Sequence, residues 1–160
     1  MYYTKFDCKI CQVTVIGDEA GITRIHLEAK GSNKELQVNE FIRNDDLFKE
    51  AKTQLDAYFN GTLKEFHLKL NTKGTDFQKK VWQALETIPY GETRSYKDIA
   101  LMIGNEKASR AVGMANGKNP IPIVIPCHRV IGANGKLTGF AFGINLKQKM
   151  IELEAGDGKR

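Results

Sequence analysis

The sequence predicts a mixed α/β (α+β) protein in two parts: a small sheet-and-helix unit over residues 1–72 and a largely helical unit over residues 73–160. Three observations predict it. Short β-branched and aromatic runs fill the first half, apolar residues at helical spacing fill the second, and the charge divides with them. Residues 1–72 carry 10 Lys/Arg and 11 Asp/Glu, a net of −1, whereas residues 73–160 carry 14 and 8, a net of +6. A basic surface aids solubility, and it also suits a polyanionic partner such as nucleic acid; the totals leave both open.

At 160 residues, 41% hydrophobic and 27% charged, the chain has the make-up of a soluble globular protein large enough to bury a core. No apolar run reaches the ~20 residues that span a bilayer. The start, MYYTKFDCKI, lacks a basic stretch followed by an apolar one, so a reducing compartment and free thiols are expected: the cytoplasm, or the nucleus of a eukaryote.

In the first unit YYTKF, QVTVIG, ITRIHLE and, at 66–71, FHLKLN read as strands, with turn chemistry in GDEAG at 17–21. Leu47, Phe48, Ala51, Leu55, Tyr58 and Phe59 have helical spacing, with Asn44 to Asp46 as acidic cap and Asn60-Gly61 as stop. That helix is expected to pack on the sheet. Cys8 and Cys11 form a C-x-x-C without a second pair, and His26 and His67 stand at no ligand spacing, so these residues read as structural and no metal is expected.

NTKGTD at 71–76 reads as the linker. Phe77, Val81, Trp82, Ala84, Leu85 and Ile88 then make an apolar stripe that Pro89 and Gly91 end. Ser95 and Asp98 resemble a capping box opening a short helix to about Met102, and residues 105–117 read as a further helix with Arg110 at its centre. Two short helices about Gly104 suggest a helix-turn-helix, although Arg110 falls where that motif has an apolar residue. The small side chains of Ala108, Ser109, Ala111, Gly113 and Ala115 permit either close approach to a DNA groove or tight helix packing.

Pro120, Pro122 and Pro126 predict an extended, buried segment that delivers Cys127 to a fixed place. A lone Cys is ordinarily a small core hydrophobe. A His within reach and a carboxylate to orient it would instead make the thiol a nucleophile, but consecutive side chains diverge, so a turn or a bridging water is required between Cys127 and His128.

IPCHRVIG, preceded by SYKDIA and SRAVGMANGKNP and followed by LTGFAFGINLKQKMIELE, closely resembles the O6-alkylguanine-DNA alkyltransferases, also called methylated-DNA-protein-cysteine methyltransferases. The resemblance spans residues 77–154. It implies a ribonuclease H-like first domain and a winged-helix-like second domain. It makes Cys127 the thiol that accepts the alkyl group from guanine O6, or thymine O4, in double-stranded DNA, once per molecule and without a cofactor. His128 would take the thiol proton through a water and Glu154 would polarise His128. Asn119 would brace the backbone, Lys147 would lend support, and Tyr96 would turn the target phosphate and protonate the departing base. Arg110 would fill the gap left by an extruded nucleotide, with Ser95, Tyr96, Ala108, Ser109, Ala111 and Gly113 against DNA. Val130, Phe140, Ala141, Phe142 and Gly143 would line the base pocket, and the protein would act as a monomer. Phe142 stands where some members carry Gly, which implies a narrowed pocket, and Phe140 replaces a common Tyr.

Overall fold

The structure, a computed structural model, describes residues 1–31, 36–132, 134–135, 140 and 142–156. The expected pocket residue Ala141 and the last four residues of the tail lie outside the described residues. The chain divides into two compact units, Met1–Lys73 and Gly74–Arg160.

In the first unit β1 (Tyr2–Asp7), β2 (Cys11–Asp18) and β3 (Gly21–Ala29) make an antiparallel meander, and β4 (Ile42–Arg43) adds parallel to β1 in the order β3-β2-β1-β4. β2 is central and buried without a break from Val13 to Gly17, which is why its sequence does not alternate cleanly. The ladder shifts register at Ile16/Gly17, where a Cβ on Gly17 would lie 2.5 Å from Gly21 O; only glycine fits there. Helix α1 (Lys49–Phe59) buries Ala51, Leu55, Tyr58 and Phe59 and meets the sheet as expected, with Lys52 Nζ over the Phe6 ring and Cys8 Sγ donating to Asp56 Oδ1 at 3.4 Å.

Two expectations in this unit need correction. The acidic cap does not form: Phe48 is the N-cap without a side-chain bond, Asn44 Oδ1 accepts instead from Leu47 N, and Asp45 Oδ1 accepts from Thr4 Oγ1. Nor is FHLKLN a strand. It makes a single bridge, Leu70 to Ile22, and at His67 the Gln54 side chain takes the place of a neighbouring strand, accepting from His67 N and donating to His67 O. A side chain that satisfies both backbone groups removes the need for a ladder.

The second unit holds α2 (Asp76–Leu85), β5 (Arg94–Ser95), α3 (Tyr96–Met102), α4 (Ser109–Gly117), β6 (Val130–Ile131) and α5 (Ile144–Ala155). Val81, Trp82, Leu85, Ile99, Val112, Ile121 and Met150 lie in its core, and the Trp82 indole donates to Ala115 O at 2.9 Å, pinning α2 to α4. Thr75 and Gln78 form a capping box that draws the end of the expected linker into α2. The Ser95–Asp98 box forms as expected. Helix α4 starts at Ser109 rather than at 105, because Asn105–Ala108 is spent on the turn after Gly104, whose φ is +80°. β5 and β6 pair in parallel through two residues each, too short a ladder for any periodicity. Among the described residues no helix is long and apolar enough to cross a membrane, and no cluster of three or more His, Cys, Asp or Glu could hold a metal.

Candidate functional site

The segment entering Cys127 is buried as expected but is not extended. Ile121 N donates to Asn119 Oδ1, Asn119 Nδ2 donates to Ile125 O at 2.7 Å, and Val124 N and Cys127 N each bond the carbonyl two residues back. The chain therefore buckles into successive tight turns, with Ile123 at φ +73°, a costly conformation for a β-branched residue. Prolines exclude helix and ladder alike, and the Asn119 amide decides which compact path remains. The Asn116 amide adds a second brace, Nδ2 to Cys127 O at 3.4 Å.

Cys127, His128 and Arg129 then form one turn of 3-10 helix, all three buried. That turn puts successive side chains about a third of a revolution apart. The Cys127 thiol is pushed up to about 11 by burial, against the Asn119 side chain and the Lys147 charge, which pull the other way. The resting sulfur is a protonated thiol, not a thiolate.

His128, fully buried, places Nε2 2.6 Å from Glu154 Oε2. Burial lowers its pKa and the Glu154 contact only partly opposes this, so the imidazole is neutral near pH 7, donates from Nε2 to the carboxylate and keeps Nδ1 as its acceptor nitrogen. Glu154 also accepts from Arg129 Nε at 2.7 Å, from Arg129 Nη2 at 3.2 Å and from Gly91 N at 3.3 Å. Burial alone would raise its pKa, but His128 and Arg129 outweigh it and hold the carboxyl at about 2. Arg129 is itself anchored, Nη1 to Ile88 O at 2.7 Å, with its guanidinium over the Tyr90 ring. Lys147, also fully buried, donates from Nζ to Val130 O at 2.6 Å, and burial lowers its pKa.

Sequence reasoning gave no role to Arg129 or Asn116, and read Gly91 only as the end of a helix. Arg129 had one signal, an arginine inside an apolar run, which in a folded chain demands a buried acceptor. Helix α5 was also unannounced, because its inner face mixes Leu146 and Met150 with Lys147 and Glu154 and so blurs the apolar stripe.

Arg110 is exposed on α4, together with Ala111, Met114, Gly117 and Lys118. Ser109 is half-buried, and a Cβ on Gly113 would lie 3.8 Å from the Tyr96 ring, so α3 and α4 touch there in ordinary contact. Ala108, one of the small residues expected against DNA or in tight packing, is buried as the N-cap of α4, with its N donating to Asn105 O. Ser95 Oγ accepts from Asp98 N, which leaves its hydroxyl hydrogen and one lone pair for an outside partner. Val130 is buried, the Phe140 and Phe142 rings meet edge to face with centroids 5.6 Å apart, and Gly143, at φ +101°, opens α5.

Two family models cover nearly the whole chain: the 6-O-methylguanine DNA methyltransferase ribonuclease-like domain matches residues 1–72, and the DNA binding domain of the same family matches residues 76–156. The chain belongs to the 6-O-methylguanine DNA methyltransferase family. Among relatives in this family, a Methanosarcina acetivorans protein named methylated-DNA–protein-cysteine methyltransferase is 53% identical over 154 residues, 96% of this chain and 98% of its own. A crystal structure of the Mycobacterium tuberculosis O6-methylguanine methyltransferase superposes with a TM-score of 0.87 at 48% identity, covering 96% of this chain and 92% of that one. A Mycobacterium tuberculosis protein crystallised in complex with DNA matches with a TM-score of 0.86 at 47% identity, over 97% and 93% of the two chains.

Proposed function

We propose that the protein is a methylated-DNA–protein-cysteine methyltransferase that repairs DNA by moving the alkyl group of O6-alkylguanine, and also of O4-alkylthymine, onto Cys127. The observation that carries this reading is the buried Cys127 thiol followed directly by a neutral His128 that Glu154 orients. With a thiol pushed up to about 11, attack requires proton removal at the moment of reaction. The sulfur forms a bond to the alkyl carbon as the carbon–O6 bond breaks. The thiol proton passes through a water to His128 Nδ1, and the imidazolium so formed lies against the Glu154 carboxylate. Tyr96 donates a proton to the departing base, and Lys147 eases the build-up of negative charge on sulfur. Asn119 keeps the attacking atom in place through the backbone.

An alkyl carbon stacked in a duplex cannot be approached in line from a buried sulfur, so the nucleotide rotates out at a cost of roughly a few kcal/mol. Arg110 fills the space it leaves, with Ser95, Ser109, Ala111 and Gly113 close to the backbone, while Val130, Phe140, Phe142 and Gly143 border the everted base. The product is a thioether without a leaving group, so each molecule reacts once. The protein acts as a cytoplasmic monomer on double-stranded DNA.

Incubation with a methylated oligonucleotide followed by mass measurement tests this. Transfer adds about 14 Da at Cys127 and saturates at one per protein. Tight binding without the gain would mark a lesion sensor, and repeated turnover a cysteine hydrolase. Arg110→Ala lowers repair in duplex DNA more than reaction with the free base, since only the duplex demands extrusion; equal losses would argue against its role.

A further inference from the structure

The exposed face of α4 carries one feature that the transfer chemistry does not use. Met114 is 67% exposed, more than any other large exposed hydrophobic among the described residues. It stands one helical turn beyond Arg110, and Lys118 follows one turn later. Between α4 and the start of α2 lies a pit of about 220 Å³, bordered by Phe77, Ala111, Met114, Ala115 and Lys118. Its wall is firm, since Trp82 donates to Ala115 O. Among the described lining residues Lys118 is the one charge and there is no carboxylate. From Lys107 to Lys118 the sequence contains no acidic residue.

A ring, a thioether, small alkyl groups, the uncharged polar pair Thr75 and Gln78 and one cationic side chain around a pit match a deoxyribose and its phosphate. The apolar edge of the sugar needs contact without hydrogen bonds, and the phosphate needs a cation. Met is suited to the first task because its unbranched, polarisable chain adapts to an irregular surface. A protein partner would need a broader apolar surface than a pit of this size, whereas a nucleic-acid backbone needs only one unit seated. We propose that this pit is a subsite for one sugar–phosphate unit of duplex DNA, with Phe77 and Met114 against the sugar and Lys118 on the phosphate. It rests on the reading that α4 enters DNA beside Arg110, and it sets how far the helix advances.

The test is duplex binding of wild type, Met114→Ala, Met114→Leu and Lys118→Ala over a range of salt, with reaction of free O6-methylguanine as the measure of an intact site. Lys118→Ala makes the plot of log affinity against log salt shallower by about 0.9, the share of one phosphate. Met114→Ala weakens binding about tenfold with the slope unchanged, Met114→Leu binds like wild type, and all variants react normally with the free base. Wild-type affinity in Met114→Ala, or a wild-type slope in Lys118→Ala, would overturn the subsite alone. A wild-type protein that binds no duplex would overturn the DNA reading with it.

Discussion

Burial does not distinguish the two places where this chain keeps its cysteines. Cys8 and Cys11 face each other across the β1–β2 turn, with Cys8 N donating to Cys11 O at 2.8 Å, and both are buried. Burial pushes Cys11 up to about 12, and burial with Cys11 and Asp56 nearby pushes Cys8 higher still. Cys127 is equally hidden and is pushed up to about 11. What separates them is company. At Cys127 an amide and an ammonium oppose burial and a hydrogen-bonded His128–Glu154 pair follows in the same turn, whereas at the first pair only the Lys52 and Lys30 charges oppose burial and the Asp56 carboxylate makes ionisation of Cys8 harder. The spacing C-x-x-C is the more conspicuous signal in sequence, and the lone Cys127 the one on which the proposed transfer depends.

The sharpest way to break that contrast is to remove each sulfur in turn. Cys127→Ala abolishes the gain in mass with methylated DNA while leaving duplex binding in place, and Cys8→Ala and Cys11→Ala retain transfer. Loss of transfer in either of the latter would erase the distinction.

Next comes the company itself. Arg129→Ala leaves Glu154 buried with His128 as its main partner and lowers stability by about 3 kcal/mol in a urea titration. An unchanged midpoint would mean that Arg129 is not needed to hold the carboxylate.

The same cluster gives a pH dependence. His128 and Glu154 both have folded pKa values below their unfolded ones, so the unfolded chain binds protons first and stability falls with acid. The loss begins as pH drops through the ordinary histidine value of 6.5 and deepens from 4.5 towards about 2. The transfer rate should show no inflection at the ordinary thiol value of 9.0, since the thiol lies near 11; a clear step there would mean a more open sulfur than the structure has.

Smaller again is the pocket edge. Phe140 and Phe142 pack edge to face, and Phe142→Gly raises the second-order rate with O6-benzylguanine about tenfold. Equal rates in wild type and variant would reject a narrowed pocket. The smallest effect is structural: Cys11→Ala costs about 1 kcal/mol in thermal unfolding and alters nothing in transfer.

What was legible in the sequence was local. The β1–β3 meander, the α1 and α2 stripes and the Ser95–Asp98 cap follow from side chains within a few residues of one another, whose period or capping geometry a single segment carries. FHLKLN misled because strand propensity says nothing of Gln54, a residue on another element that satisfies its backbone. The three prolines announced a rigid approach to Cys127 but not its path, which the Asn119 amide selects by bonding Ile121 and Ile125.

By itself, then, the sequence determined which elements form, where the basic charge gathers and which thiol carries the distinctive motif, because propensity, charge and spacing are properties of short stretches of chain. The tertiary structure alone decided that Glu154 meets His128 across 26 positions, that Arg129 reaches Ile88 across 41, and that α2 and α4 enclose a pit beside Met114. Those contacts are made by packing, which desolvates ionisable groups and so commits each to the partner it meets in the fold.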